Sequence, residues 1–117
     1  MLTTTTFPSV SVAPGTSLGR IDDIPDPGAK IVDIAGLSLV LTRKDGAVHA
    51  FINRCTHAEY RLERADGRLI TQDGRYIVCH AHGASYALET GACAGGPCAK
   101  PLTRVPIEVR GGEVLAV

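Results

Sequence analysis

The sequence predicts an all-β domain, a small antiparallel sandwich or barrel. Three observations predict it. Short β-rich runs recur with apolar side chains at alternate positions, the period of a strand with one buried face. Asp-Gly pairs at Asp45-Gly46 and Asp73-Gly74 stand between such runs, and this dipeptide suits the positive φ angles of a tight hairpin. No segment repeats its apolar residues at the 3.6-residue helical spacing.

Taken in order, residues 1–17 are rich in Thr, Ser and Pro and read as an extended N-terminal tail. The stretch 18–27 holds an acidic turn around Asp22, Asp23 and Asp26, and Pro25 and Pro27 forbid a helix there. Residues 30–35 and 37–43 are strands, broken at Gly36; Leu37, Leu39 and Leu41 alternate, so the second is half-buried. Lys44-Asp45-Gly46 turns the chain into a return strand over 47–53. Residues 68–72 and 75–78 flank Asp73-Gly74 as a second hairpin, and 84–88 is a short strand ended by Glu89-Thr90-Gly91. Residues 102–110 alternate around Val105, Ile107 and Val109, and Gly111-Gly112 turns into a final strand over 113–117. That makes about eight strands, with no internal repeat.

With 117 residues the chain makes one domain, which buries roughly two-thirds of its unfolded surface. Twelve basic against twelve acidic residues leave no net field for nucleic acid or an anionic membrane. With no Trp, two Phe and three Tyr, the core is expected to be aliphatic. No apolar run approaches the ~20 residues of a membrane-spanning helix. The N-terminus has neither the charged nor the apolar region of a secretory signal, so a cytoplasmic location is expected. In a reducing compartment four cysteines point first to metal or redox ligation.

Two clusters carry that chemistry: Cys55-Thr56-His57, and Cys79-His80-Ala81-His82-Gly83. Each follows a predicted strand and offers one thiolate and one imidazole on a tight turn. Zinc fingers pair like ligands, as C-x2–4-C and H-x3–5-H, so the mixed pairs fit zinc poorly. They fit a binuclear cluster in which both cysteines serve one iron and both histidines the other.

Cys55-x-His57 followed by Cys79-x2-His82-Gly83 resembles the Rieske [2Fe–2S] signature, and Gly91 with Gly95-Gly96-Pro97 resembles the family's third loop, whose proline covers the cluster. Asp23-Ile24-Pro25 and Gly112-Glu113-Val114 extend the likeness over residues 18–117. The resemblance implies a Rieske-type fold: an antiparallel β-sandwich base in 18–117 carrying a small cluster-binding lobe at about 54–98, after a tail over 1–17. It implies a [2Fe–2S] cluster with Cys55 and Cys79 on one iron and His57 and His82 on the other. Two neutral imidazoles in place of thiolates raise the reduction potential above that of an all-cysteine cluster.

The sequence also departs from the family. Twenty-one residues, 58 to 78, separate His57 from Cys79, more than most ferredoxins of this family carry. The extra length falls in 61–75 and is absorbed by the turns at Ala65-Asp66-Gly67 and Asp73-Gly74. Tyr60 and Ala81 stand where high-potential respiratory members carry a disulfide, and Ala84 where they carry a serine donor. Tyr86 stands where a hydroxyl reaches a cysteine sulfur and partly compensates. A potential toward the negative end of the ~−150 to +300 mV Rieske range is expected, below about +100 mV.

Among the other polar candidates, His80 reads as a solvent-facing loop residue and His49 as a hydrogen-bonded surface histidine. Cys93 and Cys98, in C-x4-C around the proline loop, read as two small, partly buried thiols in preference to a disulfide or second metal site. Arg54, Arg61, Arg64 and Arg68 alternate with Glu59, Glu63 and Asp66, a solvated mixed surface in preference to a docking face for an acidic partner.

The function the resemblance implies is that of a soluble Rieske-type ferredoxin. It would carry single electrons from a flavin-dependent reductase to a terminal oxygenase of the ring-hydroxylating dioxygenase type. In 117 residues there is no room for a mononuclear-iron, flavin or nucleotide-binding domain, so the chain is expected to be a carrier and not an enzyme by itself. The alternatives are a small subunit of a larger oxidoreductase, such as an assimilatory nitrite reductase, and a zinc-stabilised module without redox function.

Overall fold

The computed structural model describes residues 13–34, 36–56, 60–98 and 100–117. Eleven strands in these residues form three antiparallel sheets, with a single 3-10 turn at Ile21–Asp23. β1 (Ser17–Arg20), β11 (Glu113–Ala116) and β10 (Ile107–Arg110) make the first sheet, in the order β1-β11-β10. β2 (Gly28–Ile34), β3 (Leu37–Lys44), β4 (Ala47–Ile52) and β9 (Arg104–Val105) make the second, in the order β2-β3-β4-β9. β5 (Ile70–Gln72), β6 (Tyr76–Val78), β7 (Ser85–Ala87) and β8 (Cys93–Gly95) make a small third sheet.

The Asp-Gly turns behave as their chemistry dictates. Asp45 and Gly46 both take positive φ, and Lys44 pairs directly with Ala47, a two-residue hairpin. The Asp26 carboxylate accepts both turn amides, Asp45 N at 3.0 Å and Gly46 N at 2.9 Å. Asp73 and Gly74 repeat the positive φ pair between β5 and β6.

Leu18, Ile24, Leu39, Leu41, Ala50, Val105, Val114 and Ala116 form one core between the first two sheets. A second core joins the second sheet to the third and gathers Val40, Phe51, Leu62, Ile77, Tyr86, Leu88 and Leu102 with Cys55 and Cys79. β3 is the shared wall. Leu39 and Leu41 face one core, and Val40 the other, with Thr42 buried beside them and donating to the Leu88 carbonyl at 2.6 Å. The half-buried reading of β3 is therefore corrected: the third sheet covers the face that alternation assigned to solvent.

Three further expectations are corrected. The strand count rises from about eight because β1 and β8 carry too few apolar residues to show a period, and because Pro106, with no N–H to donate, divides 102–110 into β9 and β10. The core is not purely aliphatic, since Tyr86 and Phe51 are its two largest fully buried side chains. Gly91 explains how Phe51 fits: a Cβ there would stand 2.6 Å from the ring, and Gly91 holds φ +73°. Of the expected tail, residues 1–12 lie outside the described residues.

Candidate metal centre

The two cysteines of the signature follow the ends of β4 and β6, and each makes the same backbone bond. The Cys55 amide donates to the Tyr60 carbonyl at 2.7 Å, and the Cys79 amide donates to the Ala84 carbonyl at 2.7 Å, each five residues on. Gly83 N returns to the Cys79 carbonyl at 3.0 Å, and His80 N donates to the Leu62 carbonyl at 3.2 Å, tying the second loop to the segment that follows the first.

These loops bring Cys55 and Cys79 together. Both are about 1 % exposed, neither is in a disulfide, and their sulfurs interact. Burial pushes the Cys79 thiol above its ordinary range; the Ala81 amide opposes this, the neighbouring Cys55 adds to it, and the His82 amide opposes it again. Two backbone donors aimed at one sulfur favour its thiolate, the form that ligates a metal. On the other sulfur, Tyr86 lies with its hydroxyl 3.4 Å from Cys55 Sγ. Burial, and after it the Cys55 sulfur, keep the Tyr86 phenol protonated, so against a thiolate it is the donor. A donor set of two buried cysteines, each sulfur supplied with hydrogen bonds, fits an iron–sulfur cluster.

His82, on the second loop, is exposed, its ring 5.9 Å from that of Tyr60, whose carbonyl accepts from the Cys55 amide. His57 lies outside the described residues. Among the described residues no three His, Cys, Asp or Glu side chains converge closely enough for a single metal ion. A binuclear cluster spreads its protein ligands over two irons, two on each.

The remaining candidates fall into place. His80 is exposed and meets Tyr60 edge-on at 6.2 Å. His49 contacts the Arg104 guanidinium at 3.2 Å, and burial, then that positive charge, lower its pKa. Arg61 pairs with Glu63 at 2.7 Å and Asp33 at 3.2 Å, and Arg64 with Asp66 at 3.9 Å, a mixed and internally paired surface. The 61–75 segment turns where expected: Gly67 N donates to the Arg64 carbonyl at 2.8 Å. It is nevertheless anchored, because Leu62 is fully buried in the second core. Cys93 and Cys98 are not two thiols; they form a disulfide with Cα atoms 5.9 Å apart. The expectation of thiols rested on compartment alone, whereas the turn between β8 and Cys98 brings the two side chains to bonding distance.

Sequence reasoning passed over three supporting groups. Asn53, 4 % exposed, donates to Ser38 Oγ at 3.0 Å and Glu63 Oε1 at 2.8 Å and accepts from Leu62 N at 2.9 Å. A buried asparagine just before the first cysteine is the signal that could have marked it. Thr56 donates its amide to the Tyr86 oxygen at 3.0 Å, and its hydroxyl to the Lys100 carbonyl at 3.0 Å. The Ala81 and His82 amides, being backbone, leave no mark in the sequence.

Comparison with known proteins agrees with this geometry. A sequence model of the Rieske [2Fe–2S] domain matches residues 16–106. The 3-phenylpropionate/cinnamic acid dioxygenase ferredoxin subunit of Escherichia coli (strain K12) is 30% identical over 94 residues, covering 80% of this chain and 84% of that protein. The ferredoxin of carbazole 1,9a-dioxygenase from Nocardioides aromaticivorans IC177 has a similar fold, with a TM-score of 0.74 at 24% identity over 90% of this chain and 98% of that one. A ferredoxin in complex with reduced oxygenase in carbazole 1,9a-dioxygenase matches with a TM-score of 0.72 at 28% identity, over 87% of this chain and 91% of that one.

Proposed function

The chain belongs to the Rieske [2Fe–2S] domain family, and we propose that within it the chain is a ferredoxin, a one-electron carrier between a flavin-dependent reductase and the terminal oxygenase of a ring-hydroxylating dioxygenase system. The observation that carries this reading is the pairing of buried Cys55 with Cys79, each amide bonded to the carbonyl five residues on and each sulfur supplied with a hydrogen-bond donor. Cys55 and Cys79 would hold one iron of the cluster, and His57 and His82 the other. A bound cluster of this kind accepts and gives up one electron.

The protein's own residues do the rest. The amides of Ala81 and His82 and the hydroxyl of Tyr86 stabilise negative charge on the sulfurs, which favours the reduced state. The second core keeps the sulfurs dry. His82, His80 and Tyr60, the last 50% exposed, form the face offered to redox partners. The dioxygenase role follows the related ferredoxin subunit of Escherichia coli and the related ferredoxin seen with its oxygenase. The reading takes residues 18–117 as the Rieske domain after the tail of 1–17, with the cluster lobe at about 54–98, and places the protein in the cytoplasm. It is an electron-transfer component and not a catalyst by itself. Among the described residues no helix is long and apolar enough to cross a membrane.

An EPR spectrum of the dithionite-reduced protein tests the reading. A Rieske-type signal of low average g is expected, because two imidazoles bind the reducible iron. A silent spectrum from folded, metal-replete protein would overturn it in favour of zinc.

A further inference from the structure

We propose that the Cys93–Cys98 disulfide is a site of thiol–disulfide exchange, a latch on the cluster-binding lobe that a dithiol reductant opens. The proposal rests on the Rieske reading above, and the bridge takes no part in electron transfer as described there.

The latch stands on contacts to both ligand loops. β8 pairs with β7, placing Cys93 opposite Tyr86, the residue that meets the Cys55 sulfur. The bridge encloses Ala94, Gly95, Gly96 and Pro97. Gly96 lies against the second ligand loop so closely that a Cβ would stand 2.5 Å from the Gly83 carbonyl oxygen and 2.8 Å from Ala84 Cα. Just beyond the bridge, the Lys100 carbonyl accepts the Thr56 hydroxyl of the first loop at 3.0 Å. Beyond these contacts, the described part of the segment has a short ladder and the packing of Cys98 against the second core. The β7–β8 ladder has two register pairs with an irregularity between them, and residues 94–97 are exposed. Both cysteines are only half-buried, so a reductant has access.

The exchange balances without the cluster. A thiolate of the dithiol attacks one cysteine sulfur, the Cys93–Cys98 bond breaks, and the other cysteine leaves as a thiolate that takes up a proton. The reductant's second thiol then displaces the first cysteine from the mixed disulfide. Two electrons and two protons pass to the protein, which gains two thiols, and the reductant departs as a disulfide. Reoxidation by a disulfide of the same class runs the steps in reverse.

Opening the bridge removes the constraint that holds Gly96 on Gly83 and Ala84. The second ligand loop then opens more often, and water and chelators reach Cys79 and His82. Loop-closure entropy for so short a cross-link predicts iron release faster by on the order of tenfold.

The experiment follows loss of visible absorbance from the holoprotein with a ferrous-iron chelator, anaerobically, with and without dithiothreitol, while alkylation and mass measurement count thiols. The C93S/C98S variant is run in parallel. Faster release from the native protein only after the bridge opens, with fast and dithiothreitol-independent release from the variant, is the expected result. Equal release rates from native protein with the bridge closed and open would overturn the latch. So would alkylation of Cys93 and Cys98 without reductant, or an equal acceleration of the variant, which would mean direct attack on the cluster. Should the variant not fold, native protein reduced, alkylated at Cys93 and Cys98 and freed of dithiothreitol before the chelator is added decides instead: release as slow as from the closed bridge overturns the latch. An isolated protein with no Rieske spectrum would overturn the reading itself and the latch with it, whereas a normal spectrum with unchanged release overturns the latch alone.

Discussion

In the base of the molecule, β2 and β3 pair over seven register positions and β3 and β4 over six, and β3 is sealed on both faces by apolar side chains. In the lobe that holds the cysteines, the strands are three residues long, and β7 meets β8 at only two positions. What the lobe lacks in ladder it makes up with Asn53, Thr56, Tyr86, the Cys93–Cys98 bridge and the buried anchor Leu62. The base is stabilised by area, at about 25 cal/mol for each Å² of apolar surface buried. The lobe is stabilised by particular contacts around its ligands. Broad sheets tolerate small changes; a region of short strands depends on each contact and on the group it binds.

The most forceful way to break this comparison is to take away a ligand. Cys79→Ser should abolish cluster binding, and hydrogen exchange should then show protection lost across the described part of 54–98 and kept in β2–β4. Equal loss in both regions would mean that the base depends on the cluster too. Next in size is Phe51→Ala, which strikes the wall between the regions. Phe51 is fully buried, packs on Gly91 and lies 5.1 Å beneath the Arg104 guanidinium. The change should cost about 3–5 kcal/mol in denaturant unfolding, with base and lobe melting together.

Smaller and confined to the lobe is Tyr86→Phe. It removes the donor to Cys55 Sγ, so the reduced state is less stabilised. A hydrogen bond of about 1 kcal/mol corresponds to a drop of roughly 40 mV for one electron, read by redox titration, with the base unaffected. The smallest effect is a pH dependence. Burial pushes the Glu63 carboxyl up, but hydrogen bonds from Asn53 and Arg61 outweigh it and hold the pKa below its ordinary 4.5. A lowered folded pKa contributes stability that is complete above the unfolded value and is lost as pH falls through the folded one. The stability difference between wild type and Glu63→Gln should therefore be flat near neutrality and shrink on acidification below about pH 4.5, in denaturant midpoints measured against pH.

Much of this protein is local chemistry, and local chemistry is written in sequence. Asp45-Gly46 and Asp73-Gly74 prescribe their turns because so few residues accept positive φ at two successive positions. The ligand candidates are legible because a thiol and an imidazole two or three residues apart, twice, leave few metal sites open. The all-β class follows from the period of two. What only the tertiary structure decided is which surfaces meet. Val40 and Thr42 read as solvent-facing until the third sheet covers them, and Phe51 finds its slot only because Gly91 lies opposite. Cys93 and Cys98 pair because a turn brings their sulfurs together, and Tyr86 meets Cys55 across 31 positions of chain. Spacing records neighbours along the chain, whereas burial and sulfur hydrogen bonds depend on packing between elements distant in sequence.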